Sequence, residues 1–306
     1  MQDLINRAAG LLERRFLKNA FLPVLLLPLA VYAPWGLRES RLEMLIGTWS
    51  RQDLIAQVLQ VALAFALVWF TAAIVASQWR NIIRLYEGYP LMRIAGVGQA
   101  CASWYWRRAQ KFENVGDRWR LYYDFPATSH DCLPTRLGNI IRAAERYSYY
   151  RYGADTIVVW PRLYHLLERD VVDDVEDARA SLEFLLVVSL WFVMAGWGGA
   201  IFLAFAGDSM ALAIVWSLGG TFGAYLAYLS AIRAAVEYGE QLRSTMELYR
   251  LQLLEHLRIP VPTTVKGERA AWERFADFVG AGDDEGMPSY SKHDEPSVIV
   301  RIAPLL

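Results

Sequence analysis

The sequence predicts an all-α integral membrane protein. It reads as four transmembrane helices, a mostly helical cytoplasmic domain between helices 2 and 3, and a long cytoplasmic extension of helix 4. Three observations carry this. Of the 306 residues, 55% are hydrophobic, above the roughly 45–50% usual for soluble domains, and the excess is gathered in blocks. Twelve Trp and sixteen Tyr suit the aromatic belts of membrane interfaces. From Phe184 to Ile232 one charged residue, Asp208, interrupts the apolar sequence.

Residues 1–18 place Leu4, Ile5, Ala8, Leu11, Leu12 and Phe16 at helical spacing, with Arg7, Arg14, Arg15 and Lys18 mostly off that stripe. This predicts an amphipathic N-terminal helix lying on the membrane or extending the first span. Residues 19–78 hold helices 1 and 2. The first, Ala20–Leu37, is short and carries Pro23, Pro28 and Pro34. Its flank resembles a twin-arginine signal, but Phe16 follows the arginine pair directly, so the segment reads as a retained span. The second, Leu54–Gln78, is uncharged between Asp53 and Arg80 and exceeds the about 20 residues a crossing needs.

Residues 79–183 are too long for a loop and too apolar for a linker. "ACASWYWRRAQKF" reads as a helix, and "LPTRLGNIIRAAERYSYYRYG" as another, from near Pro134 to Gly153. "DTIVVW" reads as a strand-like or buried run before a helix opened by Pro161. "VVDDVEDARASLEF" is expected to run straight into the third span. Residues 184–232 form a transmembrane hairpin, Phe184–Ala206 and Ser209–Ile232. Gly207-Asp208-Ser209 is its turn, with Asp208 at the water interface and placed to cap the fourth helix. That turn position argues against a buried proton-relay acid.

Residues 233–279 continue the helix. Leu242, Met246, Tyr249 and Leu253 repeat at steps of three and four, a coiled-coil-like seam expected to hold an oligomer. The fourth span and its extension make one helix of roughly 75 Å, stopped by "RIPVPTTV" and followed by a short helix, "ERAAWERFADFV". Residues 280–306 read as a flexible linker and an apolar tail. The hairpin turn has no Lys or Arg, whereas Trp79–Glu183 has fifteen, so both termini are expected in the cytoplasm. Arg38, Arg41 and Arg51 in the first loop argue weakly against this orientation.

"LPTRLGNIIRAAERY", "RYGADTIVVWPRL", "YGEQLRSTMELYRLQLLEHLRIPVP" and "ERAAWERF" together resemble a widespread group of uncharacterised bacterial multi-span membrane proteins. The resemblance covers most of the chain after Trp79. It implies a bacterial inner-membrane location and brings no activity with it.

Chemistry is sparse. The sequence has no Walker loop, dinucleotide-type glycine motif, paired zinc cysteines or GxSxG. Ser129–Cys132, "SHDC", groups potential metal ligands, but adjacent residues rarely converge on one ion and no second cluster completes a site. Cys101 and Cys132 read as reduced thiols. The run Asp170–Asp177 reads as a solvated acidic face, or as one drawing cations to an inner vestibule. A net charge of −1 gives no argument for nucleic acid. The expectation is no enzyme, no cofactor and no metal, with the lipid bilayer and further copies of the chain as partners.

No span carries an ionisable residue inside, which disfavours proton-driven motors and antiporters. At 100° per residue, Gln57, Gln60, Ala64, Thr71 and Gln78 fall on one line along helix 2. Such a face packs on protein or lines water, so these residues are the pore-lining candidates of an oligomeric channel with a cytoplasmic gating domain. The alternative is a non-conducting membrane scaffold or sensor in which the stripe glues helices together. Gly219, Gly223 and Ala227 of helix 4, with Gly196 and Ala200 of helix 3, are the helix-packing candidates.

Overall fold

In the computed structural model, residue 16, residues 20–36 and residues 39–282 are described. The amphipathic helix expected over 1–18, apart from Phe16, lies outside the described residues. So do the apolar tail and nearly all of the linker before it. Among the described residues there is no strand.

The elements are α1 (Leu22–Gly36), α2 (Glu39–Ser50), α3 (Leu54–Ser77), α4 (Trp79–Glu87), α5 (Tyr89–Met92), α6 (Val97–Val115) and α7 (Arg118–Asp124). A 3₁₀ turn at Ser129–Asp131 precedes α8 (Arg136–Tyr152), α9 (Thr156–Leu163), α10 (Arg169–Phe205), α11 (Met210–His256) and α12 (Val265–Ala281). Three of these, α3, α10 and α11, are long and apolar enough to cross a membrane; their most apolar windows have mean hydropathies of 2.3, 2.0 and 1.5.

The first apolar segment is helical, but α1 has 15 residues. It reaches about 22 Å, short of the about 30 Å of a hydrocarbon core. Pro28 inside it removes a backbone donor. The loop expected after it instead contains α2, whose 12 residues have no sustained apolar period to announce them.

The acidic run does enter the third apolar segment without a break, as the single 37-residue helix α10. The fourth apolar segment and its extension form the single 47-residue helix α11. Between them Gly207 takes φ +69, where a side chain would be strained. The amides of Gly207 and Asp208 close the end of α10 on Ala204 O and Leu203 O. Ser209 O accepts from the amides of Leu212 and Ala213, so α11 starts immediately after it.

"TIVVW" is helical. The Asp155 side chain accepts from Ile157 N at 2.9 Å and caps α9 at Thr156, leaving Pro161 inside the helix. The apolar run is therefore the first turn and a half of a half-buried helix, with Val159 inside and Ile157 exposed, which periodicity alone does not separate from a strand.

The chain folds as two compact units: the described residues up to Ala143 with Asp174–Gly239, and Ala144–Asp173 with the described residues from Glu240 onward. The segment 79–183, read from the sequence as one domain, is divided between them. In the first unit Ile82, Leu137, Ile140, Leu182, Leu186 and Ala235 pack one core. Polar pins cross it. Tyr86 Oη donates to Ser189 Oγ at 2.9 Å, and Ser189 Oγ donates to Ala224 O at 3.0 Å. Thr135 Oγ1 donates to Tyr86 O at 2.7 Å. Asn139, fully buried, bonds both backbone groups of Leu133 and the carbonyl of Thr135. Each buried polar atom named here has a partner, as burial requires.

In the second unit Val159, Leu163, Met246, Leu254, Trp272 and Phe275 pack the core. Arg250 Nε donates to the buried carboxylate of Glu268 at 2.7 Å, and its guanidinium stacks 3.8 Å from the Tyr152 ring centroid. Thr264 Oγ1 accepts from Gly267 N and caps α12.

Candidate functional site

Helix α3 begins at Leu54 and contains no charged residue. Its aromatic contacts lie on one side, while Val75 near its end packs against the first unit's core. Phe21 meets Phe65 and Trp69 edge-on, each at 5.8 Å between centroids, and Ala72 is completely buried. These positions lie about 100–160° around the helix from the line through Asp53, as 100° per residue dictates. The five stripe residues lie within about 40° of that line, away from the aromatic contact.

On that line Gln60, Ala64 and Thr71 are exposed. Gln57 is half-buried; its amide donates to Trp49 O at 3.0 Å and to Gln52 O at 3.2 Å, tying the start of α3 to the turn before it. Gln78 closes the other end, its backbone N–H bonding Ile74 O and Val75 O and its amide donating to Ser77 Oγ. The structure thus brings the pore-lining candidates onto one face. The side chains of the two end residues are engaged locally, Gln57 with backbone carbonyls and Gln78 with the Ser77 and Asn81 side chains, and the middle three are exposed among the described residues.

The contact between α10 and α11 is a glycine crossing, but its glycines differ from the expected set. A Cβ on Gly220 would meet Gly196 Cα at 2.5 Å and Phe192 O at 2.7 Å. Gly196 packs as expected. Gly219 has nothing within 4 Å of a built Cβ. One residue is 100° of helix, so Gly220 rather than Gly219 points at the partner. Gly223 rests against the Phe192 ring, 2.6 Å from a built Cβ, and Ala227 is buried. Ala200 is half-buried, and Gly199, absent from the expected ridge, approaches the Trp216 indole. The signal that could have found Gly199 is the Trp216 indole on the facing helix; Gly220 meets backbone atoms of Gly196 and Phe192, which no sequence pattern marks.

Leu26 and Leu29 of α1, Trp191 and Phe192 of α10, and Val215 and Trp216 of α11 line an open groove of about 670 Å³ beside this crossing. Trp216 Nε1 donates to Ala195 O at 3.2 Å. The indole N–H of Trp191 is buried without a hydrogen-bond partner.

The seam Leu242, Met246, Tyr249 and Leu253 is occupied by its own chain. Met246 and Leu253 are 1% and 2% exposed in the core with Trp272 and Phe275, and Tyr249 packs against that core. Leu242 is buried as well. The three-four spacing marks a helix that needs a cover, and α9 and α12 supply it for Met246, Tyr249 and Leu253.

The "SHDC" turn lines a smaller cavity of about 330 Å³ with Trp106 and Arg107. His130 Nδ1 lies 3.9 Å from Asp131 Oδ1, but Asp131 is buried while the His130 side chain is 97% exposed. Among the described residues no group of three or more His, Cys, Asp or Glu converges. Burial, and then the Asp131 carboxylate, push the Cys132 thiol up to about 11 from an ordinary 9.0. A buried neutral thiol is unreactive. With maleimide, half-buried Cys101 is expected to label at pH near neutral and Cys132 to stay protected until the pH approaches about 11. Because the folded value is the higher one, the stability contributed by the neutral thiol is present below 9.0 and lost as pH rises toward about 11. Equal labelling of both thiols at neutral pH would contradict this burial.

Comparison with protein-family models, with curated proteins and with solved structures gives no match.

Proposed function

We propose that this chain is an integral membrane protein of the bacterial inner membrane that assembles with copies of itself into a channel- or pore-like oligomer. In this reading α1, α3, α10 and α11 lie in the bilayer, both termini are cytoplasmic and Asp208 is outside. The segment between α3 and α10, together with the end of α11, acts as the regulatory or gating part. The orientation follows from the fifteen Lys and Arg of 79–183 against none in the hairpin turn. The chain is not read as an enzyme, because its sequence carries no catalytic motif.

One observation carries the proposal. Of the three helices long and apolar enough to cross a membrane, α3 has the highest hydropathy and just 6% of its most apolar window buried within the chain, and its exposed line includes Gln60, Ala64 and Thr71. Hydrocarbon offers an amide no partner, and an unpaired polar group there costs several kcal/mol. Neighbouring copies or water on that line remove the cost.

A specific observation also favours a non-conducting scaffold. Gln57 already bonds its own backbone, so this part of the line does not require water. Lysine at Ala64 separates the two readings. In a wet lumen the Ala64→Lys variant assembles, and reconstituted protein shifts conductance toward anions. Absence of current from the wild type, with a variant that fails to assemble, would leave the scaffold.

A further inference from the structure

The chain leaves α3 through the single non-helical residue Gln78 and enters α4. From Trp79 to Lys111 it carries Arg80, Arg84, Arg93, Arg107, Arg108 and Lys111 against a single acid, Glu87. That is a local excess of five positive charges, six minus one, in a protein whose net charge is −1. Glu87 is buried, so the surface of this segment is more basic still. Arg80, Arg84 and Arg93 are exposed and have no ion-pair partner among the described residues.

Between α4 and α6 all eight residues Pro90–Val97 are exposed. Leu91, Met92, Ile94 and Val97 are 36%, 42%, 52% and 44% exposed. The shape of this loop is held from within. A Cβ on Gly98 would meet Met92 Cα at 2.5 Å and Leu91 O at 2.7 Å, so the chain leaving the loop lies directly on the chain entering it. Four apolar side chains are thereby presented outward on a closed turn, with unpaired arginines in the loop and on the helix before it. Exposed apolar patches of this kind mark interaction sites. Apolar side chains rimmed by Arg suit an interface with anionic lipid, where the stems bury and the charges stay among the headgroups.

We propose that Trp79–Gly98 is a binding surface for anionic phospholipid headgroups, with the Pro90–Val97 loop entering the interface beneath them. The occupant follows from charge complementarity and from continuity with α3, which ends at Ser77, one residue before α4 begins at Trp79. The proposal rests on the membrane reading above and does not depend on whether the protein conducts.

The test uses the full chain in nanodiscs, with Cys101→Ser as background and an environment-sensitive fluorophore on Ile94→Cys. A second probe, on Leu218→Cys, exposed on α11, reports the bilayer itself. Nanodiscs contain phosphatidylcholine alone or with increasing phosphatidylglycerol, and quenching by spin-labelled lipid is compared with quenching by aqueous iodide. The expected result is lipid quenching at Ile94 that rises with phosphatidylglycerol and weakens with salt. The phosphatidylglycerol requirement should rise roughly fivefold for each arginine removed in Arg84→Gln and Arg93→Gln. Iodide quenching at Ile94 with lipid quenching at Leu218 would overturn this proposal alone and point to water or a protein partner. Iodide quenching at both would overturn the membrane reading with it. Lipid quenching at Ile94 that ignores phosphatidylglycerol and both arginine variants would overturn the headgroup assignment.

Discussion

Gly220→Val is expected to destabilise the α10–α11 hairpin by about 3 kcal/mol, while Gly219→Ala leaves it unchanged or slightly more stable. The two residues are neighbours in sequence, and the difference is geometric. A Cβ at Gly220 falls 2.5 Å from Gly196 Cα and 2.7 Å from Phe192 O, both backbone atoms that cannot swing aside. Relief requires the helices to separate, which breaks the contacts lining the neighbouring groove. Overpacking of this kind costs about 1–3 kcal/mol and more when backbone must move, and valine adds two methyl groups to the clash. At Gly219 a Cβ meets nothing within 4 Å, and alanine is about 1 kcal/mol better than glycine inside a helix. Denaturant titration in detergent, following hairpin-specific fluorescence, measures both. Equal destabilisation by the two substitutions would show that the crossing is not the one described.

Trp272→Ala should cost about 3–5 kcal/mol, the usual range for deleting a buried Trp. Trp272 is 1% exposed at the centre of a core shared by Met246, Leu253, Leu254 and Phe275, and its ring meets Phe275 edge-on at 5.9 Å. The void would open directly beneath the seam of α11. The consequence distinguishes two roles for that seam. If it serves only its own chain, the variant loses stability with an unchanged subunit count, measured by light scattering in detergent. A change in subunit count at retained helicity would give Met246 and Leu253 a second partner.

Several features were legible because they are local. The extent of α3 and the apolar parts of α10 and α11 follow from runs of apolar residues, and hydropathy is a property of the run itself. The Gly207 turn follows from a glycine and two polar residues between two such runs, with Ser209 O closing the start of α11. The stops after α8 and α11 follow from Gly153 and from Pro260 with Pro262, which act on their own backbone. The polar stripe of α3 also follows from spacing, because helical phase converts sequence separation into angle.

Other features depend on partners distant in sequence. The period of Leu242, Met246, Tyr249 and Leu253 marks a buried face and says nothing about what buries it; α9 and α12 do so for the last three. "TIVVW" suits a strand as well as a helix until Asp155 caps it. Gly219 and Gly220 differ by 100° on α11, and only the position of Gly196 and Phe192 on the facing helix selects Gly220. The loop Pro90–Val97 carries no periodic signal at all, and its outward apolar face exists because Gly98 lets two backbone segments touch. Sequence by itself determined which long segments are apolar, since each residue contributes to hydropathy independently, but it did not announce α2 or decide "TIVVW". Tertiary structure decided which face of each helix is filled and by what, because a contact is a joint property of two surfaces.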